Sequence, residues 1–187
     1  MHDQASVAFL IDSMAQQLSE FIAQKGYQKI EFVGIRTGGV WVAQAIQKVL
    51  NNQQALGELD ISFYRDDFTQ IGLNPKVTPS SLPFETKDKH IILFDDVLMS
   101  GRTVRAAMNE LFDYGRPASI TLAVLVNLGK PQLPIAPDIV GTNICLKPGQ
   151  RINLVGPVQL SLNAKGSKSE SGDKTENVTD AKHKGTE

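Results

Sequence analysis

The sequence predicts an α/β protein with an open, mainly parallel sheet flanked by helices. Segments with apolar residues at helical spacing alternate along the chain with short, continuous apolar runs, which is the pattern of alternating helices and strands. Continuous apolar runs are typical of parallel strands that are covered on both faces. The length of 187 residues, with 41% hydrophobic and 21% charged residues, supports one compact domain with a buried core.

The first half of the chain contains two predicted helices and two predicted strands. Residues 4–24 place their large apolar side chains on one helical face, and Gly26 is positioned to end that helix. The apolar run at residues 30–35 leads into a Thr-Gly-Gly turn at residues 37–39, so strand, glycine turn and helix form the first unit. We expect a helix at residues 4–24, a strand at 30–35, a helix at 40–50 and a strand at 59–64.

The second half begins with a long segment that has no clear pattern. Residues 65–89 lack periodicity, and a stretch of this length inside a compact domain is typically a functional lid. The next apolar run is ended by Asp95 and Asp96, and the last strands complete the sheet or form a small antiparallel flap that turns at Gly156 and Pro157. The expected elements are a strand at residues 91–94, a helix at 103–114, strands at 120–126 and 139–144, and a strand region at 152–162.

Composition indicates one domain, a tail and a cytoplasmic location. Residues 164–187 contain five Lys and five acidic residues among Ser, Thr and Gly, so we expect a domain at residues 1–163 and a disordered tail at 164–187. The formal net charge of -1 excludes a global positive field that would gather nucleic acid or anionic lipid. Cys145 is the single cysteine, and neither a leader nor a long apolar run is present, so we expect a cytoplasmic protein without a membrane partner or a zinc site.

The most informative segment is a buried strand that leads into two adjacent carboxylates, Asp95 and Asp96. A short polar glycine loop follows, and a helix is predicted to begin at Thr103. Helix N-termini at the carboxyl ends of strands bind anions, because their N–H groups lack partners. The carboxylates can hold sugar hydroxyls, directly or through Mg²⁺. The residues that can wrap a terminal phosphate are Ser100, Gly101, Arg102 and Thr103.

A plainer interpretation exists for each part of this segment. Asp95 and Asp96 can be a polar strand end, while Ser100 and Thr103 can simply cap a helix. The combination of two acids after an apolar run with a Ser-Gly-Arg-Thr loop before an amphipathic helix is much less common than either part alone. Rival phosphate loops of the dinucleotide or Walker type are absent from the sequence. The combination therefore favours a binding site for a phosphorylated sugar.

This segment resembles the phosphoribosyl pyrophosphate (PRPP) signature of type I phosphoribosyltransferases. More narrowly, the chain resembles the pyrimidine operon regulator/uracil phosphoribosyltransferase family, PyrR, over about residues 5 to 145. The resemblance implies a type I phosphoribosyltransferase fold, with a small hood and a flexible lid loop. The matching segments are residues 33–40, 64–67, 95–98, 101–107, 115–117, 122–126, 133–135, 137–138 and 140–141.

The resemblance implies a role for each matching residue. In the family, the loop that matches residues 36–39 holds the pyrophosphate of PRPP, often through a cis peptide, and Arg65 meets the pyrophosphate when the lid closes. A plain strand-to-helix turn and a solvated charge cluster are the simpler interpretations of these two segments. Implied PRPP and UMP ligands are Arg36, Thr37, Gly38, Gly39, Asp95, Asp96, Met99, Ser100, Gly101, Arg102 and Thr103. Implied catalytic residues are Arg36, Arg65, Asp95 and Asp96, of which the two Asp also serve Mg²⁺, and the implied base-binding loop contains Val126, Asn127 and Leu128.

The implied reaction converts uracil and PRPP to UMP and pyrophosphate, with a role in regulating pyrimidine genes. Family members tend to form homodimers or higher homo-oligomers. Two alternatives stay open: a PRPP- or UMP-sensing regulator with little catalysis, and a purine phosphoribosyltransferase on the same scaffold.

The chain departs from the family pattern at three places. Met99 stands where an aromatic residue is usual, and residues 127–131 read Asn-Leu-Gly-Lys-Pro in place of Asp-Arg-Gly-His-Arg. The first helix of RNA-binding members is rich in Arg and His, whereas residues 9–24 contain no basic side chain. We therefore expect RNA binding to be weak or absent, since RNA affinity depends on clustered positive charge.

Overall fold

The computed structural model describes residues 4–61, 79–157 and 161–166, and side chains over 6–61 and 79–157. The described residues form three helices, which are α1 (Gln4–Lys25), α2 (Gly38–Val49) and α3 (Arg102–Asp113). They also form seven strands, which are β1 (Ile30–Ile35), β2 (Gly57–Leu59), β3 (His90–Leu98), β4 (Ser119–Asn127), β5 (Ile139–Asn143), β6 (Gln150–Val155) and β7 (Ser161–Gly166). The predicted α/β class is confirmed.

The five strands β1 to β5 form one parallel sheet in the order β2-β1-β3-β4-β5. The chain moves outward to β2 on one side of β1 and to β3 on the other, so the order of the strands reverses between β1 and β3. Ligands of open α/β sheets bind outside the carboxyl ends of the strands at such a reversal. Strands β6 and β7 form a separate antiparallel hairpin, which corresponds to the expected flap.

The sheet is covered on both faces, as its apolar strands predict. Met14 of α1 and Ile46 of α2 pack with Phe94 and Leu125 on one face. Leu111 of α3 belongs to the apolar cluster on the other face. Burying each such side chain contributes about 1.5–3 kcal/mol to the free energy of folding. The two apolar clusters therefore stabilise the sheet whose strand ends carry the site.

Strand β3 is longer than the sequence predicted. The expected strand ended at Phe94, but β3 continues to Leu98 because Asp95, Val97 and Leu98 pair with residues of β4. Backbone pairing does not depend on the polarity of the side chain, so the two carboxylates lie within the strand. Helices α2 and α3 each begin slightly earlier than expected, at Gly38 and Arg102.

The predicted strand at residues 59–64 overlaps the observed strand β2 only at Leu59. The observed strand β2 covers Gly57–Leu59 and ends opposite Ile35, where β1 also ends and offers no further partner. Residues 60 and 61 lie outside any strand, and residues 62–64 lie outside the described residues. The alternation of apolar and polar residues at 59–64 marks a segment suited to a strand, but the register with β1 ends the observed pairing at Leu59.

Part of the predicted lid is a packed loop. Ser81 exchanges two backbone hydrogen bonds with Glu58, each of 2.8 Å, and Leu82 and Phe84 pack against the cluster on the α3 face. Residues 81–84 are therefore packed against the edge strand β2 and the cluster on the α3 face, and a lid movement of residues 65–89 stays a prediction. Residues 65–78, with Arg65, lie outside the described residues.

The carboxyl-terminal boundary differs in detail from the expectation. Strand β7 ends at Gly166, so it includes the first three residues of the predicted tail. Residues 167–187 lie outside the described residues, and their disorder stays a prediction. Among the described helices, none has both the length and the apolar character needed to cross a membrane.

Candidate functional site

The candidate site lies at the carboxyl end of β3, between the loop that leads to α3 and the hairpin of β6 and β7. A cleft of about 480 Å³ opens there, and a smaller cavity of about 120 Å³ adjoins it beneath the same loop. The cleft is lined by Asp95, Asp96, Val97, Met99, Ser100, Arg102, Thr103, Leu128, Leu146, Gln150, Arg151, Ile152 and Asn153. Most of the predicted PRPP ligands from the β3–α3 segment therefore share one cleft.

The loop from Ser100 to Thr103 has the geometry of an anion-binding turn. Gly101 occupies the residue before α3 with a φ of 85°, a left-handed conformation that a side chain would make costly. This conformation turns the chain directly into the first turn of α3, where N–H groups lack helical partners. The Arg102 N–H donates to the Ser100 Oγ over 3.3 Å. A phosphate at this turn would meet backbone donors, a hydroxyl and the positive end of the helix.

The segment from Leu128 to Gln132 holds this loop through hydrogen bonds. The backbone N–H of Gln132 donates to the Ser100 carbonyl over 2.9 Å, and the Leu128 N–H donates to the Leu98 carbonyl over 2.9 Å. The Gln132 side chain accepts a hydrogen bond of 3.2 Å from the Nε of Arg102. The loop is thus held on both sides of Gly101 before any ligand binds.

The two carboxylates occupy different surroundings. Asp95 is 4% exposed, and its Oδ1 accepts a hydrogen bond of 3.0 Å from the Asp96 N–H. Asp96 is less buried, and its carboxylate lies against Gly38 at the start of α2. Because buried carboxylates require hydrogen-bonding or charged partners, ribose hydroxyls and a cation are suitable occupants of the space in front of them.

The second glycine loop contacts the first motif directly. A Cβ atom at Gly38 would overlap the Asp96 carboxylate, and one at Gly39 would overlap the Phe94 carbonyl. The peptide between Arg36 and Thr37 is cis, as the family resemblance implied. Glycine is therefore required here by the close approach of α2 to β3, and the N–H groups of the first turn of α2 lie beside the carboxylate pair.

Arg36 is held at the edge of this arrangement by acidic groups. Its Nε donates to the Glu58 Oε2 over 2.8 Å, and its Nη1 donates to the Pro79 carbonyl over 3.1 Å. The Asp60 Oδ2 lies 4.0 Å from the same Nη1. Sequence reasoning missed Glu58 and Asp60, because only the register of β2 against β1 brings them to Arg36.

The predicted base-binding loop is only partly at the cleft. Val126 is fully buried in the core. The Asn127 side chain donates to the Asn143 Oδ1 over 2.9 Å and accepts a bond of 3.0 Å from the Gly129 N–H. Within the described part of the chain, Leu128 alone of these three residues lines the cleft.

Residues of the hairpin form a wall that the sequence did not reveal. Residues 150–153 and Leu146 line the cleft together with the carboxylate pair. The Lys130 Nζ donates to the Leu146 carbonyl over 3.4 Å, so the loop after β4 is tied to the base of the hairpin. The alternation of polar and apolar residues from 150 to 155 was the available signal, but nothing local indicates which side of the sheet the hairpin covers.

The donor set suits Mg²⁺ only in company with a substrate. Among the described residues, no group of three or more His, Cys, Asp or Glu side chains could hold a metal by itself. Mg²⁺ prefers oxygen ligands and keeps several waters, and it usually combines one or two carboxylates with phosphate oxygens. Asp95 and Asp96 supply such carboxylates, so they fit a Mg²⁺ ion that a phosphorylated substrate brings to the site.

Together, the sheet order, the turn at residues 100–103, the acid pair and the second glycine loop fit the phosphoribosyltransferase class that the sequence resembles. The phosphoribosyl transferase domain family matches residues 1–161, and the chain belongs to it. Within that family the chain belongs to the PyrR group. "Bifunctional protein PyrR" of Pseudomonas savastanoi pv. phaseolicola is 59% identical over 155 residues, covering 83% of this chain and 91% of that protein.

Further comparisons agree with this assignment. The protein of the same name from Pseudomonas aeruginosa is 56% identical over 158 residues, covering 84% of this chain and 93% of that protein. A hypoxanthine-guanine phosphoribosyltransferase of Bacillus anthracis superposes with a TM-score of 0.61 at 14% identity, covering 81% of this chain and 84% of its own. The hypoxanthine phosphoribosyltransferase of Trypanosoma cruzi gives 0.59 at 15% identity, with coverages of 78% and 81%. These two structures show the fold alone.

Proposed function

We propose that this chain is a Mg²⁺-dependent uracil phosphoribosyltransferase, which converts uracil and PRPP to UMP and pyrophosphate. The observation that carries the proposal is the contact between Gly38 and the Asp96 carboxylate. This contact brings the N-terminus of α2 to the carboxylate pair, and the residues at the N-terminus of α3 line the same cleft as that pair. PRPP has the same order of groups, since its ribose lies between a 5′-phosphate and a pyrophosphate.

Each part of PRPP has a proposed partner. The turn from Ser100 to Thr103 binds the 5′-phosphate, and Asp95 and Asp96 bind the ribose hydroxyls. The first turn of α2 and Arg36 bind the pyrophosphate, with Thr37, Gly38 and Gly39 supplying backbone donors. Met99 is 56% exposed and lines the cleft, so its side chain is available to contact the ribose.

In the proposed reaction, the bond from ribose C1 to the pyrophosphate oxygen breaks and a bond from C1 to N1 of uracil forms. The N1 proton of uracil passes to solvent water, and pyrophosphate leaves with the electron pair of the broken bond. Positive charge develops on the ribose and negative charge on the pyrophosphate. Asp95 and Asp96 stabilise the former, and Arg36 and the N–H groups of α2 stabilise the latter. Bound Mg²⁺ supplies additional charge neutralisation on the phosphate oxygens. Arg65 lies outside the described residues, and its part in neutralising the pyrophosphate stays a prediction.

The cleft residues from the hairpin and from the loop after β4 suit a small planar base. Leu128, Leu146 and Ile152 provide apolar contacts, while Gln150 and Asn153 provide amide groups that can pair with the edge of a planar base. Uracil as that base follows from the family resemblance. The name of the relatives, "Bifunctional protein PyrR", supports a second activity besides transfer, and a UMP- or PRPP-sensing role in pyrimidine gene regulation is the second candidate.

The test is a direct assay of pyrophosphate release from PRPP with a panel of bases, with and without Mg²⁺. We expect Mg²⁺-dependent release with uracil and little with hypoxanthine or guanine. Pyrophosphate release with a purine base, and none with uracil, would mean that the substrate is that purine. Tight binding of UMP without release for any base would favour the sensing role.

A further inference from the structure

The surroundings of Arg36 contain an acidic pair that the proposed reaction does not use. Glu58 of β2 pairs with Gly34 of β1, and side chains two residues apart on a strand point to the same face. Arg36 follows Gly34 by two residues, and its own N–H donates to the Leu59 carbonyl over 2.9 Å. The parallel register therefore places the Glu58 carboxylate beside the Arg36 guanidinium.

Hydrogen bonds hold the backbone of both acidic residues in place. Glu58 is held by the two hydrogen bonds that it exchanges with Ser81, and the Asp60 N–H donates to the Ser80 Oγ over 2.8 Å. The Asp60 side chain is only 8% exposed. The backbone positions of both residues are thereby set, and the Glu58 carboxylate reaches Arg36 through the 2.8 Å ion pair with its Nε.

Two carboxylates beside Arg36 are an unexpected feature of the proposed pyrophosphate site. The ligand carries several negative charges, so each carboxylate repels it, and each also neutralises the guanidinium that should attract it. Stability alone gives little reason for such a pair, because partly exposed ion pairs contribute only about 0–1 kcal/mol.

We propose that Glu58 is a counter-ion that competes with pyrophosphate for Arg36 and so limits the affinity of the site for the pyrophosphate group. This inference rests on the proposed function, because it assumes that Arg36 meets the pyrophosphate of PRPP. Glu58 acts through Arg36 and is a positioning residue, not a catalytic one. A weaker hold on pyrophosphate favours its departure as a product.

The test is the variant Glu58→Gln, which keeps an oxygen that accepts the Arg36 Nε hydrogen bond and removes the negative charge. The affinities for PRPP and UMP are measured by calorimetry with Mg²⁺ and without any base. UMP has the phosphate and ribose of PRPP but no pyrophosphate, so it reports on the intactness of the site. We expect PRPP to bind about threefold to tenfold more tightly at low salt, with UMP affinity unchanged.

Glu31→Gln is the matched control. Glu31 also lies in the β1 region of the sheet, and its Oε1 pairs with the Lys89 Nζ over 2.6 Å at the opposite end of β1. The control removes the same charge from a comparable ion pair, so it should leave the ratio of the two affinities unchanged. The gain of Glu58→Gln should also shrink as the salt concentration rises, since the pair is partly exposed.

The outcomes separate this inference from the proposed function. Unchanged or weaker PRPP binding by Glu58→Gln, with UMP affinity intact, would overturn the counter-ion role while leaving the transferase in place. An equal gain in Glu31→Gln would also overturn it, because the effect would then be one of net charge. A wild-type chain that binds neither PRPP nor UMP would remove the proposed function and this inference with it.

Discussion

At the scale of single residues, the proposed site depends on two adjacent carboxylates that differ in exposure. Asp95 is nearly enclosed and its Oδ1 accepts a backbone hydrogen bond, whereas the Asp96 carboxylate reaches the first turn of α2. Strand β3 thus supplies one enclosed carboxylate and one carboxylate that contacts α2. Neutral amides of the same size would fill the same space. They would not attract Mg²⁺, and each would have one accepting oxygen where a carboxylate has two.

The double substitution of Asp95→Asn with Asp96→Asn should weaken PRPP binding by more than about tenfold, or about 1.4 kcal/mol, while leaving the fold intact. Calorimetry with Mg²⁺ measures the affinity, and circular dichroism reports the fold. Asp12→Asn with Asp113→Asn is the matched control, since both side chains are exposed on helices. PRPP affinity that is equal in the two double variants would show that the carboxylates do not hold the ligand.

At the scale of elements, the site depends on how closely α2 approaches β3. Gly39 is buried in the first turn of α2 and faces the Phe94 carbonyl at a distance that leaves no room for a Cβ atom. This contact brings the N-terminus of α2 to the acid pair. A larger residue at position 39 would have to push the helix away from the sheet.

Gly39→Ala should therefore lower the free energy of unfolding by about 1–3 kcal/mol, as overpacking against rigid backbone does. Urea unfolding followed by circular dichroism measures the change. Gln44→Ala, at an exposed position of the same helix, is the control and should change stability by less than about 0.5 kcal/mol. A stable Gly39→Ala variant would mean that α2 does not pack this closely.

Local patterns predicted most of the elements but not their relations. The apolar run of β1 and the helical face of α1 are found where periodicity placed them. The end of β2, the extension of β3 past Phe94 and the wall formed by the hairpin depend on pairing between distant segments. The ion pair of Arg36 with Glu58 has the same origin. A single sequence shows which residues are chemically able to act, but strand register decides which of them meet.

At the scale of the whole molecule, the charge distribution bears on whether this chain binds RNA as a regulator of pyrimidine genes. Residues 1–60 contain four basic and six acidic side chains, and Arg36 is already paired with Glu58. The basic residues of the predicted tail are balanced by an equal number of acids. RNA affinity depends largely on neutralising phosphates with clustered Lys and Arg, and this chain has no large excess of them.

We therefore expect no specific complex with a leader hairpin of pyrimidine-gene messenger RNA at physiological salt, with or without UMP. A filter-binding or mobility-shift assay at about 0.15 M salt measures this. Submicromolar binding that UMP strengthens would contradict the prediction, and it would mean that a local basic surface outweighs the balanced total charge.

In the proposed complex, two helix N-termini near one carboxylate pair bind the two ends of PRPP. Amide hydrogen exchange tests it most directly, because the first N–H groups of α2 and α3 have no helical partners. With Mg²⁺, PRPP should slow exchange both at residues 38–40 and at residues 101–103, whereas UMP should slow exchange only at residues 101–103. Protection by PRPP at neither segment, or equal protection of residues 38–40 by UMP, would contradict the account.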